Sequence, residues 1–236
     1  MNDATANMAF PAAPPDTVAI AGSNLLYPVY RIFCVGRNYE AHAKEMGVKP
    51  DREAPFYFTK SAHAIVASGS HIAYPPQTSN YHHEMEMVVA LGGGGGNVAI
   101  DDALDLVFGY ACGLDMTRRD LQLAARDKGR PWDLGKDFEQ SAVISPIRPL
   151  SETGHPDNAA ITLSVNGTMR QSGHISDLIW SVPELIANLS KFYTLRAGDL
   201  IYTGTPAGVG PVEPGDVIEG SIEGVGTIKL TIKTGG

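Results

Sequence analysis

The chain is expected to form an α+β domain made mostly of β-strands. Strand-like stretches outnumber stretches with helical spacing. Few strands alternate with helices long enough for a βαβ crossover, and the last forty residues are short strands punctuated by glycine. With 236 residues, 43% of them hydrophobic and 19% charged, the chain can bury a full core as one large domain or two small ones.

Residues 1–16 are rich in Ala and Pro and read as a loose arm. Short strands are expected at 18–20 and 30–35, so residues 1–29 divide from a main domain over 30–236. Gly36 opens a turn into a helix of about two turns over 38–47. Asn38 is its expected N-cap and Gly47 its stop, and His42 and Glu45 stand at i,i+3 on one face. Strands follow at 55–60, 64–66 and 71–74. Tyr81 to Val89 alternates Met85, Met87 and Val89 with Glu84, Glu86 and Val88, the pattern of a strand. The glycines at 92–96 lack the Lys-Ser/Thr of a phosphate loop and read as a hairpin connection, followed by a helical turn at 101–106.

A buried strand over 107–114 delivers Asp115. Thr117 and Asp120 then have capping spacing for a helix running to about Lys128 and closed by Gly129. Residues 130–138 read as a long loop carrying Trp132 and Lys136. Strands are expected at 142–144 and 160–165, and Asn166-Gly167 is a type I′ hairpin signal. Ser181-Val182-Pro183-Glu184 fits a capping box with Pro in the first turn of a helix reaching Phe192. Strands at 200–203, 217–222 and 227–232 complete the chain.

A net charge of −8 without a basic run argues against nucleic acid as a partner. No stretch approaches the ~18 apolar residues of a membrane span, and the first residues lack the charged and apolar regions of a signal peptide, so a cytoplasmic location is expected. Cys34 and Cys112 sit in apolar surroundings and read as buried thiols, with a Cys–His nucleophile as the minor alternative.

Glu84 and Glu86 carry the main chemical signal. On a strand they share a face roughly 6–7 Å apart, where two like charges repel unless a cation lies between them or water covers both. A solvated edge strand with two surface acids and a metal site therefore both remain open. Asp115 is the candidate third ligand, and oxygen donors favour Mg²⁺ or Mn²⁺, then Ca²⁺. His82 shares the face, so a zinc-like His-Glu-Glu set is a lesser possibility. His42 with Glu45 is a candidate acid–base pair, or else an incidental pair on an exposed helix. Lys136 reads as an anion clamp or a solvated loop lysine, and Thr203-Gly204-Thr205-Pro206 as a carboxylate cradle or a tight turn.

Taken together, Val35-Gly36-Arg37-Asn38-Tyr39 with His42 and Glu45, residues 55–60, His83-Glu84-Met85-Glu86, Gly113-Leu114-Asp115 through Gln122, Lys136-Asp137-Phe138 and Tyr202-Thr203-Gly204-Thr205-Pro206 through Pro211 resemble the fumarylacetoacetate hydrolase family, over roughly residues 30–232. The resemblance implies that family's C-terminal-like mixed β-sandwich roll with short helices. It makes Glu84, Glu86 and Asp115 the ligands of Mg²⁺, with Mn²⁺ or Ca²⁺ possible. It makes His42 and Glu45 a water-activating dyad on a lid helix, and Lys136 the stabiliser of developing negative charge. Thr205 becomes a contact to the substrate carboxylate, and Arg37, Lys60 and Gln122 further substrate contacts. It implies a homodimer and, through likeness to the short acylpyruvase branch, metal-dependent hydrolysis of a 2,4-diketo acid such as fumarylpyruvate. Oxaloacetate decarboxylation or keto-acid isomerisation at the same site is the nearest alternative. A non-catalytic carboxylate- or metal-binding module is the alternative of another class.

Overall fold

The computed structural model describes residues 9–47 and 52–234. Its centre is a mixed sheet with strands in the order Phe56–Lys60, Arg31–Gly36, Asp199–Tyr202, Met85–Leu91, Val107–Asp115, Ala142–Ile144 and Ile65–Ala67, with Arg148–Pro149 also paired to Val107–Asp115. The glutamate-bearing strand is thus fourth of seven and has no edge to solvent. Every residue of Met85–Leu91 is buried. The strand expected over 81–89 breaks at Glu84, which lies between Tyr81–His83 of a separate small sheet and Met85–Leu91 and is only 4% exposed. The solvated-edge alternative therefore falls for both glutamates.

Alternation along this strand sorts its side chains between two cores. Met85, Met87, Val89 and Leu91 join Ile161, Leu163, Ile218, Ile228 and Leu230 of a second sheet, ordered Thr168–His174, Ala160–Val165, Val217–Ile222, Gly226–Ile232 and His71–Ile72. The sheets press closely enough that a Cβ on Gly220 would lie 2.6 Å from the Met85 sulfur, so glycine there has a packing reason. On the opposite face Val88 and Ala90 pack with Ile32, Cys34, Leu200 and Tyr202, and also with Val18, Tyr27 and Val29. These last come from the hairpin Thr17–Ala19 with Leu26–Pro28, whose Tyr27 hydroxyl donates to Leu91 O (2.8 Å).

Local signals act largely as expected. Asn166 and Gly167 take φ of 51° and 75° between Ala160–Val165 and Thr168–His174. Ser181 and Glu184 form the capping box of the helix Val182–Leu189. Two caps differ. The helix Glu40–Glu45 starts after Tyr39, because the Asn38 amide is engaged across the fold: it donates to Trp180 O (2.9 Å) and Thr203 O (2.8 Å) and accepts from Trp180 N (2.8 Å). The helix Arg119–Asp127 follows Arg118 without a side-chain cap. Thr117 turns inward to donate to Asp115 O, and Asp120 accepts from Thr78 and Ser79. Within the expected loop 130–138, Asp133–Lys136 makes a helical turn. A Cβ on Gly135 would meet the Gln122 backbone at 2.8–2.9 Å, so glycine lets this turn press on the helix Arg119–Asp127. Cys34 and Cys112 are buried free thiols. Burial pushes Cys112 up to about 12 and Cys34 well above its usual range, which leaves neither suited to nucleophilic work. No helix of the described residues is long and apolar enough to cross a membrane.

Candidate metal centre and active site

Strand pairing brings the three carboxylates together. Glu86 pairs with Gly113 and Met85 with Leu114. The Asp115 amide donates to Glu84 O (2.9 Å), so Asp115 ends its strand beside Glu84. Each of Glu84, Glu86 and Asp115 offers an oxygen within 4.8 Å of the others, and all three are buried.

Cations surround the cluster. Lys136 Nζ donates to Glu84 Oε2 (2.8 Å), Asp115 Oδ2 (2.7 Å) and Thr117 Oγ1 (2.8 Å), which occupies its three N–H groups. Arg119 donates to Glu84 Oε1 and to Gln122 Oε1. Lys60 lies behind Asp115, 2.9 Å from Oδ1, and donates to Met116 O and Lys136 O. Three carboxylates thus face three basic groups. Burial alone would raise the Glu84 carboxyl, but Lys136, Arg119 and His42 overcome it and hold Glu84 well below the usual range. Lys136 is itself penalised by burial, yet Asp115 and Glu84 keep it raised and protonated. Glu86 goes the other way. Burial, then repulsion from Asp115 and Glu84, push it well above the usual carboxylate range, and the Gly204 N–H (2.8 Å to Oε2) offsets this only in part.

The leftover oxygens test whether a divalent cation suits this set. Asp115 Oδ1 is buried and lacks a hydrogen-bond partner among the described residues. Lys60 Nζ is near enough for Coulomb attraction, but its approach does not meet hydrogen-bond geometry, so the oxygen keeps its lone pairs unsatisfied. Glu86 has one hydrogen bond and two repelling neighbours. A cation among the three would satisfy the first and restore the charged form of the second, so the donor set fits a hard divalent ion. The zinc-like set with His82 does not form. The His82 ring nitrogens meet Asn80 Oδ1 (2.8 Å) and Arg119 Nε (3.4 Å), and burial followed by Arg119 lowers the ring to about 4.

A narrow cleft opens beside the cluster and reaches Glu84 of its three carboxylates. Arg37, His42, Phe58, Glu84, Arg119, Gln122, Arg126, Trp132 and Lys136 are among its walls, and its free volume is about 30 Å³. His42 Nδ1 is 3.2 Å from Glu45 Oε2, and the Gly208 N–H reaches both Glu45 oxygens (3.1 and 3.2 Å). Arg37 holds φ of 60°, a left-handed conformation that side-chain-bearing residues seldom adopt. Among the other expected substrate contacts, Gln122 is on the cleft. Lys60 is sealed beneath Asp115, with no side-chain exposure. Thr205 is buried and is not among the cleft walls, its hydroxyl accepting from Gln171 Nε2 (2.7 Å).

Sequence reasoning missed two residues. Arg119 was legible only as helix spacing to Gln122, and the adjacent Arg118 made the choice ambiguous. Gln171 had no local signal. Its amide accepts from Met85 N (2.9 Å), meets His83 Nδ1 (3.2 Å), and donates to Thr205 and to Pro206 O (2.8 Å).

A family model described as fumarylacetoacetate (FAA) hydrolase C-terminal matches residues 31–233. The chain is 57% identical over 180 residues to a fumarylpyruvate hydrolase of Ralstonia sp, covering 76% of this chain and 93% of that protein. It is 43% identical over 202 residues to the mitochondrial oxaloacetate tautomerase FAHD1 of Bos taurus, covering 86% and 91%. The crystal structure of fumarylpyruvate hydrolase from Pseudomonas aeruginosa in complex with Mn²⁺ and pyruvate superposes with a TM-score of 0.94 at 51% identity, covering 97% of this chain and 100% of that one. The fold is that of these hydrolases, and the chain is an enzyme, a hydrolase acting on carbon–carbon bonds. It belongs to the fumarylacetoacetate hydrolase family.

Proposed function

We propose that the enzyme hydrolyses the C–C bond of an acylpyruvate, with fumarylpyruvate, cleaved to fumarate and pyruvate, as its substrate in aromatic-compound catabolism. The observation that carries this reading is the one cleft that His42, backed by Glu45, lines together with Glu84 of the carboxylate cluster and Lys136. Glu84, Glu86 and Asp115 would hold the divalent ion, Mg²⁺ in this reading, which supplies Lewis acidity to the oxo-acid end of the substrate.

The chain's own residues do the rest. Glu45 engages His42 Nδ1, which leaves Nε2 to take a proton from water. The water oxygen adds to the acyl carbonyl carbon, and collapse of the adduct breaks the bond to the pyruvate methylene. The electron pair leaves on the pyruvate fragment as its enolate, and the proton held by His42 returns to that carbon. Lys136, its N–H groups occupied by Glu84, Asp115 and Thr117, opposes the developing negative charge through space. Gln122 and Arg37 contact substrate from the cleft walls, and Thr205 contacts its carboxylate. Lys60 supports Asp115 from behind. A cleft of about 30 Å³ is too small for a keto acid, so the cleft must widen to admit one. We place the enzyme in the cytoplasm as a homodimer.

The relatives named oxaloacetate tautomerases give a second reading, proton transfer on oxaloacetate at the same site. A water-activating His–Glu pair favours hydrolysis, because that reaction needs an attacking water. A panel of fumarylpyruvate, acetylpyruvate and oxaloacetate, assayed with Mg²⁺ and after metal removal by EDTA, separates the two. Metal-dependent release of pyruvate from the acylpyruvates supports hydrolysis. Activity confined to oxaloacetate refutes it, and full activity in confirmed metal-free enzyme refutes the metal role.

A further inference from the structure

The helix Arg119–Asp127 turns an unusual face inward. Its buried residues are Arg119 and Gln122 rather than apolar side chains, and Arg119, Gln122, Leu123 and Arg126 all line the cleft. These positions stand at i, i+3, i+4 and i+7, one continuous stripe. At its inner end Arg119 is engaged by Glu84, Gln122 and His82. At its outer end the acidic contact of Arg126 among the described residues is its chain neighbour Asp127, at 3.4 Å with both side chains exposed, a weak and screened pairing. The helix C-terminus carries partial negative charge, so an anion arriving there depends on the guanidinium.

The spacing suits a particular ligand. Seven residues of helix advance about 10 Å, from the carboxylate cluster to the cleft mouth. The carbon chain of a seven-carbon 2,4-diketo diacid spans about 7–8 Å between its terminal carbons, taking about 1.3 Å of advance for each ~1.5 Å bond. With the oxo-acid end at the cluster, the far end of the acyl chain stops about 2–3 Å short of the level of the Arg126 backbone. The Arg126 side chain covers that gap, because helical side chains tilt towards the helix N-terminus, here towards the cluster.

We propose that Arg126 reads a carboxylate at the far end of the acyl group, so that the cleft selects acylpyruvates that are diacids. Two parallel N–H donors from a guanidinium match a carboxylate and distinguish it from a methyl or alkyl end. This rests on the acylpyruvate reading above.

The test compares kcat and KM of the Mg²⁺-loaded enzyme for fumarylpyruvate and for acetylpyruvate, which lacks the second carboxylate, in wild type, Arg126→Met, Arg126→Lys and Arg126→Glu. Arg126→Met should lower the fumarylpyruvate-to-acetylpyruvate ratio of kcat/KM about 10- to 100-fold, the range of a lost charge-assisted hydrogen bond. The loss should fall on KM for fumarylpyruvate. Lysine should restore part of the ratio, and glutamate should depress it further. Binding of fumarate against crotonate, measured by calorimetry in the same variants, gives the same comparison without turnover. An unchanged ratio in Arg126→Met, or a parallel fall in kcat for both substrates, overturns the role of Arg126. Failure of the wild type to cleave either acylpyruvate overturns the underlying reading instead, and the proposal with it.

Discussion

Replacing Lys136 by methionine keeps the length of the side chain and removes one buried charge. The ammonium lies 2.8 Å from Glu84 and 2.7 Å from Asp115, worth about 6 kcal/mol of attraction per pair at an effective dielectric of about 20. Desolvation of the ammonium offsets much of that. The net loss is that of breaking a buried ion pair, about 3–5 kcal/mol, or a fall in Tm of about 6–20 °C for a domain of this size. The variant leaves Glu84 and Asp115 short of one positive charge, so a divalent cation should stabilise it more than it stabilises wild type. At 100 times Kd, a cation returns about 2.7 kcal/mol. Activity should not return with it, because the charge opposing the enolate is gone, and kcat should stay down about 10²–10³-fold at saturating Mg²⁺. Thermal unfolding in EDTA and in Mg²⁺, with turnover of fumarylpyruvate in the same samples, reads both effects. Wild-type Tm in EDTA would refute the electrostatic account of the cluster. Wild-type turnover at saturating metal would refute the role of Lys136 in the reaction.

Two further outcomes are expected. His42→Ala should lower kcat about 10²–10⁴-fold while Mg²⁺ affinity, measured by calorimetry, stays near wild type; a large loss of metal binding would place His42 among the ligands instead. Glu86 is raised by burial and by its carboxylate neighbours, so the metal-free site retains a proton above the ordinary glutamate range of about 4.3. Cation binding must expel it. Mg²⁺ affinity should therefore rise with pH, and up to one proton should be released on binding, visible as a buffer-dependent calorimetric heat. A raised carboxyl stabilises the fold below its unfolded pKa, and that contribution is lost as pH climbs through the folded value. The metal-free protein should accordingly gain more from Mg²⁺ toward neutral pH, and a flat pH profile with no proton release would contradict the assignment.

Much of the site was legible locally. The two-residue period paired Glu84 with Glu86, although Glu84 sits in a break just ahead of the strand Met85–Leu91, and hydrophobic strand 107–114 followed by polar residues marked Asp115. The i,i+3 spacing of His42 and Glu45 survives as a 3.2 Å contact. What local patterns could not show was depth. An alternating strand looks the same at an edge and at a sheet centre until its neighbours are known, and here they lie at 107–115 and 199–202. The Asn38 and Thr117 caps failed for a related reason. Each is a sound local choice, but tertiary partners displaced it: Trp180 and Thr203 for Asn38, and Asp115 and Lys136 for Thr117. Gln171 lies beyond local reading altogether, since its partners at 83–85 and 205–206 meet only when the two sheets stack.

The segment from Thr203 to Gly208 places one backbone N–H on Glu86 and another on Glu45, and Gly204 accepts no side chain, because a Cβ there would sit 2.7 Å from the Cβ of Asn38, just ahead of the helix bearing His42. One short stretch therefore anchors both Glu86 of the carboxylate cluster and Glu45, the partner of His42, through backbone groups that no side-chain exchange can alter. A graft that moved residues 36–45 into a relative to change its acyl preference would have to bring 203–208 along. Exchanged singly, each half would arrive with its donors aimed at a partner that had moved.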